Sequence, residues 1–120
     1  MSETNENDRI VNVLNYRELS LITKNNRIVI LKAEAEWCKP CKNIKPLFNN
    51  LVNNLPSDIA IVIIDIDVAK DIKRTLRINA VPYMINFVDG DPMDIINTSI
   101  PEKIQKFFVK TMDRYNSLLN

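Results

Sequence analysis

Two short apolar runs constrain what this chain can fold into more than any other feature. Ile28-Val29-Ile30-Leu31 and the segment from Ile59 to Ile66 (IAIVIIDI) are nearly unbroken stretches of aliphatic residues, rich in β-branched side chains. A strand with one wet face alternates apolar and polar positions, whereas a continuous run marks a strand covered on both faces. Strands of that kind pair in parallel, and parallel neighbours need crossover connections, which are right-handed and usually helical. The two runs therefore predict an α/β chain with helices on both sides of its sheet.

The rest of the sequence supplies the other elements. Ile10 to Val13 has the β-branched content of a short strand, and Asn15 is placed to cap a helix over residues 16–24 carrying Leu19 and Ile22. Asn25-Asn26 reads as a turn. Ile44, Leu47, Phe48, Leu51, Val52 and Leu55 recur at three and four residues and predict the buried stripe of a helix, which Pro46 should kink. Pro56-Ser57-Asp58 ends it. Asp67 is expected to cap a short helix over residues 68–76. Tyr83 to Val88 is a third core strand, Asp89-Gly90 a hairpin turn, and Met93 to Asn97 its antiparallel partner. A last helix runs from Pro101 to Leu118, with Ile104, Phe107, Phe108 and Met112 facing the core. The order is β-α-β-α-β-α-β-β-α. Residues 1–8 form a polar tail and residues 9–120 one domain.

Composition closes several routes to function. With 16 basic and 15 acidic residues the net charge is +1, which argues against a nucleic-acid partner. The absence of histidine excludes a Ser-His-Asp triad or Cys-His pair and leaves only thiolates and carboxylates for any zinc site. One glycine rules out a dinucleotide-binding glycine loop, so no cofactor is expected. No apolar run suits a bilayer, and Met1 to Asp8 is polar and acidic, unlike a secretion signal. The expected compartment is the cytosol, and Asn97-Thr98-Ser99 carries little weight as a glycosylation sequon. Two cysteines are too few for a secreted scaffold; in a reducing setting a close pair is catalytic or metal-binding.

That pair lies in Trp37-Cys38-Lys39-Pro40-Cys41-Lys42, between the first apolar run and the longest amphipathic helix. Cys38 falls at a helix N-terminus, where free N–H groups and the helix dipole favour an anion, and a thiolate is the attacking species in disulfide exchange. Cys41 lies close to one turn on and can resolve a mixed disulfide. Pro40 suits a first helical turn, which does not use its missing N–H.

The segment resembles the active site of the thioredoxin family, Trp-Cys-Gly-Pro-Cys. The resemblance extends over roughly residues 10–118 through Ala35-Glu36 before Trp37, Lys42 after Cys41, Pro46 in the following helix, Val81-Pro82 at the family's cis-proline step and Gly90 in the hairpin turn. It implies a thioredoxin fold: a mixed five-stranded sheet in the order 1-3-2-4-5 flanked by four helices. It also implies a thiol–disulfide oxidoreductase, with Cys38 as nucleophile and Cys41 as resolving thiol. Trp37, Val81 and Pro82 would bind substrate, with Ala80 adding to an apolar patch. The implied partners are disulfide-containing client proteins and a reductant such as a thioredoxin reductase, the protein acting as a monomer without bound metal.

The departures from the family pattern bear on tuning. Lys39 replaces glycine and should favour the Cys38 thiolate, giving a more oxidising pair. Lys32 stands where the family has a buried aspartate, and Ile63 near that residue's usual lysine partner. Lys32 either titrates, if burial depresses it, or snorkels to solvent, the reading the sequence favours. Glu34 and Glu36 read as solvated, and Trp37 serves packing or docking equally well. Glu34, Tyr83 and Thr98 also depart from the pattern. The altered Lys32, Glu34 and Thr98 keep open a binding or assembly module with weak turnover, and the two thiolates keep open a zinc clip between two chains.

Overall fold

The computed structural model describes residues 8–119, so the expected tail, Asp8 apart, lies outside the described residues. Ten elements follow in the order β1 (Ile10–Asn12), α1 (Tyr16–Asn25), β2 (Ile28–Glu34), α2 (Lys39–Asn43), α3 (Lys45–Asn53), β3 (Ala60–Asp65), α4 (Lys70–Thr75), β4 (Tyr83–Val88), β5 (Asp91–Ile96) and α5 (Pro101–Leu118). The sheet order is β1-β3-β2-β4-β5. β3 runs parallel to both β1 and β2, while β4 is antiparallel to β2 and β5. This is the thioredoxin fold. Among the described residues no helix is long and apolar enough to cross a membrane.

Alternation along the central strands sends side chains into two cores. Val29, Leu31 and Ala33 of β2 join Val62, Ile64, Ile85 and both cysteines in one cluster, with Leu19 of α1 and Ile72 of α4. Ile28 and Ile30 face the other way, to Ile61, Met84, Phe48 and Val52 of α3, and Ile104, Phe107 and Phe108 of α5. Phe108 packs edge-on against Phe48 and Phe107, with centroids 5.7 and 5.8 Å away. Covering both faces is why β2 reads as a continuous apolar run.

Local chemistry sets the boundaries. Asn15 Oδ1 accepts the Glu18 N–H at 2.9 Å, and Glu18 Oε1 accepts the Leu14 N–H at 2.8 Å, so α1 begins on reciprocal caps. Asp89 (φ 51°) and Gly90 (φ 88°) both lie in the left-handed region, as a two-residue hairpin turn of primed type requires. β5 starts earlier than Met93 because Asp91 and Pro92 already pair with Val88 and Phe87. The register then shifts between Phe87 and Asn86, skipping Met93, and Pro92 is tolerated because β5 is the edge strand. Arg9 fastens the far end of α3: its guanidinium donates to the carbonyls of Val52 (2.8 Å), Leu55 (3.0 Å), Ile59 (2.8 Å) and Pro56.

Two expected helices differ in detail. The helix carrying Pro46 is broken at Ile44 (φ −90°, ψ −2°), so four expected helices become five segments. Pro46 offers no N–H to the Lys42 carbonyl, and the Ile44 N–H turns back to Lys42 and Pro40, so the break falls ahead of the proline. α4 begins at Lys70 with Ala69 as its cap, not at Val68 under Asp67. The Asp67 carboxylate is engaged elsewhere.

Candidate active site

The hexapeptide lies where β2 gives way to α2. Cys38 is the N-cap residue of α2, in extended conformation, and its Sγ accepts the Cys41 N–H at 3.1 Å. The backbone N–H of Cys38 donates to the Ala35 carbonyl at 3.1 Å, and its own carbonyl accepts the Lys42 N–H at 3.3 Å. Pro40 sits in the first turn of α2. Cys38 and Cys41 are joined as a disulfide across a Cα–Cα distance of 5.3 Å. Both are nearly covered, Cys38 exposing 3% of its surface and Cys41 2%. Trp37 projects outward at 66% exposure, so its role is not core packing. The Val81–Pro82 peptide bond is cis, Pro82 is buried, and Val81 packs against the cluster that holds the cysteines. Ala80, Lys39 and Pro40 are exposed.

A buried redox pair at the mouth of a helix, on this sheet order and with a cis-proline opening β4, matches what comparison with known proteins finds. The thioredoxin family model matches residues 10–110. The chain belongs to the thioredoxin family. It is 31% identical over 98 residues to a thioredoxin of Mycoplasmoides gallisepticum, covering 82% of this chain and 97% of that one. It is 27% identical over 101 residues to a thioredoxin of Coprinus comatus, covering 83% and 95%. The crystal structure of oxidised mitochondrial thioredoxin 3 from Saccharomyces cerevisiae superimposes with a TM-score of 0.79 at 27% identity, covering 84% of this chain and 94% of that one. The chemistry is thiol–disulfide exchange through the reversible Cys38–Cys41 disulfide.

This member of the family handles the buried position on β2 in its own way. Lys32 does not reach solvent, contrary to the expectation favoured from sequence: it is 1% exposed. It shares the face of Ile28 and Ile30 and pairs in register with Ile63, and β2 is the central strand, so no sheet edge offers a path to water. Its Nζ instead lies 3.0 Å from Glu34 Oε1 and 4.8 Å above the Phe48 ring. Burial lowers the Lys32 pKa below its ordinary value of 10.5; the Glu34 carboxylate opposes the shift and the Lys45 charge adds to it. The ammonium's polar partner is thus Glu34, not a cysteine. Glu34, expected to be solvated, is drawn into this pair with 34% of its side chain exposed.

Sequence reasoning also missed Asp67. Its Oδ2 accepts the Trp37 indole N–H at 2.9 Å, and its backbone N–H donates to Asp65 Oδ1 at 2.8 Å. The signal lay in the topology: β2 and β3 are parallel neighbours, so the loops leaving their C-terminal ends meet where an α/β sheet builds its sites. Tyr83, which follows the cis-proline, is 8% exposed, and burial raises its pKa. Among the described residues no group of three or more His, Cys, Asp or Glu could hold a metal ion.

Proposed function

We propose that this protein reduces disulfides in client proteins, with Cys38 as the attacking thiolate and Cys41 as the resolving thiol. The observation that carries the assignment is the N-cap geometry: Cys38 Sγ accepts the Cys41 backbone N–H at 3.1 Å, and that donor favours a negative charge on Cys38 once the disulfide is open. Cys38 then attacks one client sulfur, and the other client sulfur leaves as a thiolate. Cys41, deprotonated, attacks Cys38 Sγ, re-forming the Cys38–Cys41 bond and releasing the second client thiolate. Two electrons pass to the client, and a reducing partner such as a thioredoxin reductase returns them. Trp37 and Val81 line the approach, and the backbone beside the cis Pro82 pairs with an extended client segment. Lys39, on the exposed side of α2, adds positive charge near Cys38.

The test is dithiothreitol-driven reduction of insulin. The wild-type protein accelerates it, Cys38→Ser abolishes the acceleration, and Cys41→Ser accumulates mixed disulfides. A wild-type rate equal to that of dithiothreitol alone overturns the assignment. The near-complete covering of Cys38 favours one second reading, a binding module with weak turnover. That reading requires a partner complex that survives replacement of both cysteines.

A further inference from the structure

We propose that a basic cleft beside the active site docks an acidic, extended segment of the client polypeptide and so selects which disulfides are reduced. The inference rests on the oxidoreductase reading above and names its substrate class. The cleft, of about 550 Å³, is lined by Lys70, Lys73, Arg74 and Arg77, with Asp67 the only carboxylate on its wall among the described residues. Four cations gathered on one surface are a strong local departure in a chain of net charge +1. All four are exposed, and among the described residues none of them enters an ion pair; those bonds belong to Arg27, Lys32 and Arg114. The nearby Asp71 carboxylate accepts the Tyr16 N–H at 3.0 Å, and Asp67 holds the Trp37 indole.

Helix electrostatics account for only part of this charge. Lys73 and Arg74 lie in the last turn of α4, where a cation offsets the carbonyl end of the dipole. Lys70 is the first residue of the same helix, where a cation is disfavoured. Arg77 has φ 57° and follows the helix end, its N–H donating to the Arg74 carbonyl (3.3 Å) and that of Ile78 to the Lys73 carbonyl (2.9 Å). That is the helix-ending position at which glycine is the relaxed choice. The chain thus carries cations at two positions where local structure disfavours them, and both open onto the same cleft.

The cleft adjoins the redox site from two sides. Asp67 ties one rim to Trp37, next to Cys38. Asn79 on the other rim leads through Ala80 to Val81 and the cis bond. A client strand paired with the Val81 backbone and continuing along the chain meets the cations. In an extended segment, side chains on one face recur every second residue, so Asp or Glu at alternate positions would face them.

Two synthetic peptides with the same internal disulfide, flanked by alternating Glu or by alternating Gln, test this. The wild-type protein should reduce the Glu peptide roughly tenfold more efficiently (kcat/KM) at low ionic strength, with the preference falling as salt rises. The variant Lys70→Gln/Lys73→Gln/Arg74→Gln/Arg77→Asn should reduce both at the wild-type rate for the Gln peptide. Its substitutions are at exposed positions, and asparagine tolerates the positive φ of residue 77. Equal wild-type efficiency on both peptides overturns the proposal while leaving the oxidoreductase reading intact. Docking without redox chemistry is read from Trp37, the one tryptophan of the chain, whose indole N–H donates to Asp67 of the cleft wall. A disulfide-free Glu peptide should give a saturable fluorescence change that the variant loses. Saturable binding with no turnover of either peptide would support docking and sink the oxidoreductase reading. An equal response to a single-stranded oligonucleotide would overturn the polypeptide occupant.

Discussion

Lys32 and Glu34 should respond to mutation with opposite signs. A buried ammonium is costly to desolvate, and one hydrogen-bonded carboxylate, itself partly wet, repays little of that cost. Lys32→Met keeps the length and the packing on Phe48 while removing the charge. Replacing a whole buried ion pair with apolar groups is neutral or stabilising by ~1–4 kcal/mol. The Glu34 carboxylate left behind is a third exposed and can rehydrate. The lost cation–π attraction to Phe48 is worth up to ~2 kcal/mol, so from the upper part of that range a net gain of about 1–2 kcal/mol is expected. For a chain of this length that is about 4–8 °C in Tm. Glu34→Ala strands the ammonium; breaking a fully buried pair costs ~3–5 kcal/mol, and the exposed third of Glu34 reduces this to about 2–3 kcal/mol. In the Lys32→Met background the Glu34→Ala loss should nearly vanish. The pH dependence adds a second signature. Because the folded-state pKa of Lys32 lies below its ordinary 10.5, the unfolded chain binds more protons between those two values. Wild-type stability therefore gains on that of Lys32→Met as pH rises through the lowered pKa, and the gain ends near 10.5. Urea unfolding of the oxidised proteins across the alkaline range measures both effects. A Lys32→Met variant as unstable as Glu34→Ala, or a stability difference that does not change with pH, would refute the reasoning.

Three further outcomes follow from interactions elsewhere. Arg9→Met removes the donors from four carbonyls in the last turn of α3 and the connection to β3 and should cost about 2–3 kcal/mol, with hydrogen exchange quickened at the end of α3. Asn86, fully buried, donates to Thr111 Oγ1 (2.9 Å) and Asp94 Oδ2 (3.0 Å) and accepts the Asp94 N–H (2.9 Å). Asn86→Leu should cost about 2–4 kcal/mol in urea unfolding, a surface-like loss under about 0.5 kcal/mol being the contrary result. Lys39→Gly removes an exposed cation next to Cys38; such a charge is worth about 0.5–1 kcal/mol to the thiolate, so the potential should fall by about 10–20 mV against a glutathione buffer. An equal or higher potential refutes that role.

The features legible in the sequence were those set by short-range rules. A β-branched run covered on both faces, Asp-Gly between two strands, Asn15 ahead of α1 and a proline opening α5 each fix one element within a few residues. The cysteine pair is of the same kind, since its chemistry follows from three-residue spacing at a helix start. What escaped depends on partners distant in sequence. Asp67 is a sound helix cap by local rules, yet Trp37, thirty residues earlier, takes its carboxylate, and α4 starts late, with no side-chain cap. Arg9 could not be assigned to the end of α3 before β1 was known to lie beside β3.

Lys32 shows the same limit most sharply, because the rule favoured from sequence and the rule that won pointed opposite ways. Composition says a lysine in a strand snorkels; the apolar run preceding it says this strand has no wet face. The second rule wins because sheet position is decided by the whole chain: β2 lies third of five strands, with α3 and α5 covering the face Lys32 enters. The side chain cannot leave, so the carboxylate two residues along the same face comes to it. A charge held by topology and not by preference is one the fold would be more stable without, which is why its removal should raise the melting temperature.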